Sequence, residues 1–313
     1  MKSGGRFGDT LAGRVAERET QIVLGLDPDP GSLWPQSTTG VAPGASGEAA
    51  ALRAVAAHCT ALIDAAGEAC VAIKPQLARF EALGPGGNGV LREVCEHARA
   101  AGLLVIADGK RGDIDVTAAA YAASLTDGLA TSFGELRGLD ADLMTVNPLM
   151  GRDAVEPFVA AARRTGAGVL VLVRTSNPGA EDVEDLELAD GRAVWEALAA
   201  LVTALGDGGV GESGLSDVGA VVGATRPGHL GRARELMPHA PFLLPGVGAQ
   251  GGRVEELAAA FAPGRAGGLV TASRSIANAH RDSGGDPAAA ARAEAERLRE
   301  SAWELSAQAL ARG

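Results

Sequence analysis

The sequence predicts one (β/α)8 barrel, an α/β TIM barrel with surface-loop insertions and a long C-terminal helix, and three observations carry that expectation. Eight short runs rich in Val, Ile, Leu and Ala recur along the 313 residues. Helical patterns separate most of them. The runs also close, one after another, on polar residues. In chain order the first strand is expected at 22–28, followed by an insert of turn formers from Gly31 to Gly47 and a helix at 48–67. A second strand at 70–75 and a Gly-rich turn from Gly84 to Gly89 lead into a helix at 88–101, and the third strand is 103–110. Segment 118–130 is helical in composition. Strand 143–148, helix 154–165 and strand 168–176 come next, then an insert from Asn177 to Gly191 and a helix at 193–205. After a further Gly-rich insert from Gly206 to Gly214, the pattern gives strand 218–225, helix 228–237, strand 241–248, helix 253–262, strand 268–274 and a terminal helix at 286–310. An open doubly wound sheet would alternate in the same way, but six strands ordinarily suffice there and the G-x-G-x-x-G opening does not follow the first strand. The inserts read as loops because alternation resumes after each, so residues 1–313 form a single domain.

Composition bounds the function. A formal charge of −11, 3% aromatic residues and a single Tyr oppose a nucleic acid polymer as partner, which calls for a basic stripe with stacking rings. Cys59, Cys70 and Cys95 are odd in number and lack CxxC spacing, so they read as reduced, mostly buried thiols of a cytoplasmic protein. The N-terminus has no apolar core behind its charges, and no stretch reads as apolar enough to span a membrane. The five histidines are scattered singly, without the i,i+4 pairing of a metal helix. Neither a metal nor an organic cofactor is expected.

The positive charge is distributed in a telling way. Of 28 basic residues only three are lysines, and the two internal ones, Lys74 and Lys110, sit at the polar ends of strand-like runs. Guanidinium stays protonated in proteins whereas an ammonium can release its proton, so lysines retained in an arginine-writing chain point to chemistry. Strand period two puts Asp108 and Lys110 on one face, with Asp113 in the loop that follows. Charges packed this closely shift one another's pKa values, as acid–base sites require.

Other strand ends add to the array: Asp27 after the first run, Lys74 after the second, Asn147 after the fourth, Arg174 and Ser176 after the fifth and Arg226 after the sixth. In a barrel these ends share one mouth. The last two strands end in Gly246-Val-Gly248-Ala-Gln250 and in Arg274. Glycines there free backbone N–H groups for an anion, and Arg274 can fork two hydrogen bonds to phosphate. Arg174 and Arg226 are candidate helpers in the same positive pocket.

These residues, taken in order, resemble the orotidine 5′-phosphate decarboxylase family, in particular the bacterial type (type 2) whose third strand reads Ala-Asp-x-Lys-Arg-x-Asp-Ile, here Ala107 to Ile114. The likeness runs from Gly25-Leu-Asp27-Pro through Ile73-Lys74-Pro, Thr145-Val-Asn147-Pro and Thr175-Ser176-Asn177-Pro to Pro245-Gly-Val-Gly-Ala-Gln250 and Ala272-Ser-Arg274. Related sugar-phosphate barrels share the Asp-x-Lys-x-x-Asp core, but the ordered set is specific. The resemblance implies decarboxylation of orotidine 5′-monophosphate, a small-molecule nucleotide substrate, with Lys110 as proton donor and Lys74, Asp108, Lys110 and Asp113 as the charge network. It implies a homodimer in which Asp113 and Thr117 reach into the partner's site. Asp27 would contact ribose or support Lys74, Ser176 the pyrimidine, Asn147 the substrate, and Gly248, Gln250 and Arg274 the phosphate. The rivals are a Mg-dependent sugar-phosphate decarboxylase or aldolase on the same barrel, and a non-catalytic phosphate-binding barrel.

Overall fold

The computed structural model describes residues 5–39, 47–248 and 251–312. Gln250 and the middle of the 31–47 insert therefore lie outside the described residues. The barrel strands are β1 (Ile22–Leu26), β2 (Ala72–Pro75), β3 (Leu104–Arg111), β6 (Leu143–Val146), β7 (Gly168–Arg174), β8 (Val218–Val222), β9 (Phe242–Leu244) and β10 (Gly268–Ala272), while β4 (Leu129–Thr131) and β5 (Gly134–Leu136) form a separate antiparallel hairpin. The eight strands close in the order β1-β10-β9-β8-β7-β6-β3-β2, every neighbouring pair parallel. Each of the eight apolar runs is thus a barrel strand.

The runs form strands because alternate residues serve two cores. Val23, Leu104, Ile106, Leu143, Leu170, Val221, Leu243 and Leu269 fill the barrel interior. Ile22, Leu24, Ile73, Val105, Met144, Val169 and Val222 pack outward beneath the helices. Strands apolar on both faces suit a parallel sheet covered on one side by helices and filled on the other. The N-terminal end of the barrel is closed by the helix Phe7–Arg18, which buries Phe7, Leu11 and Val15 against the interior cluster. That helix precedes the first strand and was not anticipated from the pattern.

Two expected helices differ. Residues 253–262 fold as the short 3-10 turns Val254–Glu256 and Ala258–Phe261. Segment 118–130 is helical only over Asp115–Leu125; Gly128, at φ 98°, turns the chain into the β4–β5 hairpin. The helix Gly47–Ala66, continued by a turn to Ala69, is long and apolar enough to cross a membrane by length and composition, contrary to the sequence reading. Its apolar surface goes into the barrel's outer core instead: Val55, Cys59, Leu62 and Ile63 are buried there.

Arg234 ties down the chain at the end of the second turn. Buried at 7% exposure, it donates from Nη1 to the carbonyls of Met237 (2.9 Å) and Ala240 (2.8 Å) and from Nη2 to those of Ala260 (2.8 Å) and Gly267 (3.0 Å). Its guanidinium also lies 3.7 Å from the Phe242 ring centroid. The carbonyls of Ala260 and Gly267 are thereby joined to those of Met237 and Ala240 through one buried cation. Arg234→Met keeps much of the volume and removes every donor, leaving buried carbonyls unsatisfied. Equilibrium denaturation is expected to show a loss on the order of 3 kcal/mol.

Candidate active site

Strand ends at the C-terminal rim enclose a cavity of about 910 Å³. Its floor is the last inward-facing layer of the barrel: Lys74, Asp108, Thr145 and Thr271 on one side, Leu172, Val221 and Leu243 on the other. Gly25 is required there, because a Cβ on it would overlap the Ser273 hydroxyl. Gly223 is likewise required, since a Cβ would press on Ser176 Cα at 2.9 Å. The result is a pocket with one charged wall and an apolar patch beside it, the mix of lining found in small-molecule sites.

Asp108 is the hub of the charged wall. Its Oδ2 accepts from Lys74 Nζ at 2.6 Å and from Gln76 Nε2 at 3.2 Å. Its Oδ1 accepts from Lys110 Nζ at 2.6 Å and from the Thr145 hydroxyl at 2.9 Å. Each oxygen therefore holds one ammonium and one neutral donor, which fills the roughly four acceptor sites of a carboxylate. Asp108 is 4% exposed and Lys74 6%, whereas the Lys110 side chain is 44% exposed and faces the open cavity. Burial works against ionisation of Asp108, but the two lysines outweigh it and hold the carboxyl down at about 2.

The expected common face for Asp108 and Lys110 arises in an unexpected way. Lys110 has φ 47°, a left-handed backbone that non-glycine residues rarely adopt, and the β3–β6 register shifts between Ala107 and Arg111. The strand bulges between Ala107 and Arg111, where it carries Asp108 and Lys110.

Of the other candidates, Asp27, Ser176 and Arg274 line the same cavity. Asp113 and Thr117 do not; Asp113 Oδ1 accepts from the Ile114 amide at 2.8 Å, and Thr117 is exposed in the first turn of the helix that follows. Gly248, at φ 75°, sits beside Ser275 just beyond the lining residues Gly246 and Val247. Asn147 Oδ1 accepts from the Leu149 amide at 3.0 Å in a turn outside the cavity lining. Arg174 is held away from the cavity. It is 3% exposed, forks onto Asp185 at 2.8 and 2.9 Å and is not part of the cavity. Arg226 pairs with Glu181 instead of facing the pocket. These pairings account for the 177–191 insert, a strap pinned by Arg174, with Glu184 also accepting from the Thr175 amide at 2.8 Å.

Gln76 and Thr145 were missed as site residues, although period two places them on the faces already assigned to Lys74 and Asn147. Arg79 and Arg281 also line the cavity, and nothing local in the sequence marked them. Among the described residues no group of three or more His, Cys, Asp and Glu could hold a metal ion.

Comparison with known proteins is consistent along the chain. The profile of the Orotidine 5'-phosphate decarboxylase / HUMPS family matches residues 20–293. The orotidine 5'-phosphate decarboxylase of Rhodopirellula baltica is 45% identical over 223 residues, 71% of this chain and 72% of the relative, and that of Deinococcus radiodurans is 42% identical over 272 residues, 86% of this chain and 88% of the relative. The structure of Leishmania donovani OMP decarboxylase superposes with a TM-score of 0.68 at 32% identity, covering 95% of this chain and 99% of that one.

The Asp108 geometry sets an acid limit on stability. Its folded pKa is depressed, so the stability it contributes is fully present above the unfolded carboxyl's ~3.9 and is lost as pH falls through about 2. Between those pH values the unsubstituted protein is expected to lose about 2 kcal/mol more than Asp108→Asn, measured by denaturant titration at each pH.

Proposed function

We propose how the charged wall acts from the premise that this chain belongs to the orotidine 5′-phosphate decarboxylase / HUMPS family and is a carboxy-lyase that converts orotidine 5′-monophosphate to uridine 5′-monophosphate in pyrimidine biosynthesis. One observation carries the mechanism: two ammonium groups at the cavity share one fully coordinated carboxylate, and of the pair Lys110 is the far more exposed, its side chain 44% against 7% for Lys74. Breaking the bond from C6 to the carboxylate releases CO₂ and leaves the electron pair on C6, a ring carbon with no conventional electron sink. The Lys110 ammonium stabilises that developing charge, then transfers a proton to C6 to give the product and is reprotonated from solvent. Asp108 aims Lys110 and lies beside the departing carboxylate. With each oxygen engaged by two donors it works as a fixed charge, not as an acid.

The remaining roles follow the family resemblance, and for Asp27, Ser176 and Arg274 their place in the cavity lining supports them. Asp27 addresses the ribose and Ser176 the pyrimidine. Arg274, with Gln250 and the backbone at Gly248, holds the phosphate, whose binding energy, remote from C6, organises the reacting centre. The scheme draws on no metal and no organic cofactor.

Asp113 and Thr117 act in a partner's cavity across a homodimer. Supporting this, the segment that carries them exposes Ile114 at 52% and Val116 at 75%, and the neighbouring turn exposes Leu149 at 79% and Met150 at 49%. The two segments are adjacent, because a Cβ on Gly112 would meet the Asn147 carbonyl at 2.8 Å. Contiguous apolar residues beside unused polar site residues fit a second copy of the chain. The enzyme works in the cytoplasm; burial pushes Cys70 and Cys95 up to about 12, so these thiols stay protonated and unreactive in a reducing compartment.

An ultraviolet assay following the orotate ring, with and without chelator, tests the reaction. Turnover is expected in both, and dependence on added Mg²⁺ would contradict the scheme. Lys110→Ala is expected to keep uridine monophosphate binding while losing turnover by on the order of 10⁴ or more. Mixing inactive Lys110→Ala with inactive Asp113→Ala protein tests the shared site. Random exchange makes half the dimers mixed, each with one of two sites free of both substitutions, so recovery of about a quarter of full activity is expected. No recovery after exchange would remove Asp113 from the partner's site.

A further inference from the structure

Opposite the catalytic stretch of β3 the barrel ladder lacks a step, and we propose that the Thr145 hydroxyl is the rung that replaces it, making Thr145 a positioning residue for Lys110. The inference rests on Lys110 being the ammonium at the reacting carbon. In the β3–β6 register Ala107 pairs with Met144, and the next pair is Arg111 with Val146. Three residues of β3, Asp108, Gly109 and Lys110, therefore face one residue of β6. That residue is Thr145, fully buried on the inward side of its strand.

Its hydroxyl closes a ring. The Lys110 amide donates to Thr145 Oγ1 at 2.9 Å, Oγ1 donates to Asp108 Oδ1 at 2.9 Å, and Lys110 Nζ donates to the same Oδ1 at 2.6 Å. A hydroxyl has a single proton, so with the amide as its donor that proton goes to the carboxylate. The main chain and side chain of Lys110 are thus tied to one point through two routes. This matters because Lys110 has φ 47°, a conformation that a residue with a Cβ keeps only where its surroundings over-determine it. Without the hydroxyl the amide loses its buried acceptor and Asp108 loses one of four donors. The backbone then relaxes out of the left-handed region and takes the ammonium away from the reacting carbon. A neighbour that merely filled space would need only the shape of Thr145, which valine reproduces.

Thr145→Val and Thr145→Ser separate hydroxyl from shape. For the valine variant kcat is expected to fall about 10- to 100-fold, as a displacement near 1 Å at the reacting groups does. Its KM for orotidine monophosphate and its affinity for uridine monophosphate stay within about threefold, since the interaction lost is one made with the transition state. Hydrogen exchange of the Lys110 amide accelerates at least about tenfold as its acceptor is lost. Serine restores kcat to within about threefold, because it returns the same donor and acceptor. If the valine variant does not fold, Thr145→Ala carries the same expectations. An unchanged kcat in either variant, or a serine variant as slow as valine, overturns the proposal. Inactivity of the unsubstituted protein toward orotidine monophosphate would instead overturn the decarboxylase reading. The Lys110 amide exchange would still report on the rung in that case.

Discussion

Two ammonium groups held 2.6 Å from opposite oxygens of one nearly buried carboxylate are the constraint on which the rest of this molecule depends. Removing charges from water is costly, and each charge here is tolerable only because the others are fixed around it. Asp108 satisfies Lys74 and Lys110 together, while Gln76 and Thr145 fill its remaining acceptor positions. The assembly is one carboxylate with two ammoniums, a local positive excess inside a chain of formal charge −11. A substrate bearing two anionic groups is drawn to such a place, and a carbanion forming there meets a charge already in position.

The barrel makes the constraint affordable. Asp108, Lys74 and Thr145 come from three adjacent strands, β3, β2 and β6, so pairing of neighbouring strands brings them together. Apolar residues of the interior lie beneath them, and Leu172, Val221 and Leu243 form the far side of the floor. Lys110, at the bulge, keeps its side chain exposed to the cavity while its ammonium is anchored. The same division recurs around the rim. Arg174 is buried to hold a strap, whereas Arg274 and Arg281 remain exposed at the cavity.

Much of this was legible in the sequence where the signal is local. Each barrel strand is an apolar run, and spacing brings Asp108 and Lys110 into one expectation, although a bulge rather than a regular strand delivers it. What escaped depends on partners distant in sequence. Residues 253–262 have a helical pattern, yet they fold as two short 3-10 turns, and the Ala260 carbonyl at the end of the second is held by Arg234 from another element. Arg174 looks like a rim cation until Asp185, eleven residues on, claims it. Thr145 and Gln76 were within reach of the period-two argument. The left-handed φ at Lys110 was not, because nothing in Asp-Gly-Lys-Arg announces a bulge whose geometry is completed by a residue 35 positions away.

The central claim is that Asp108 remains an ionised, fully coordinated anchor throughout the working range of pH. Carbon-13 NMR of protein labelled at aspartate side-chain carboxyls, with the Asp108 signal assigned by its loss in Asp108→Asn, measures this directly. The account predicts no protonation step for that signal above about pH 3. A titration of Asp108 between about pH 4 and 7, the behaviour of a carboxylate without two fixed ammonium partners, would contradict it.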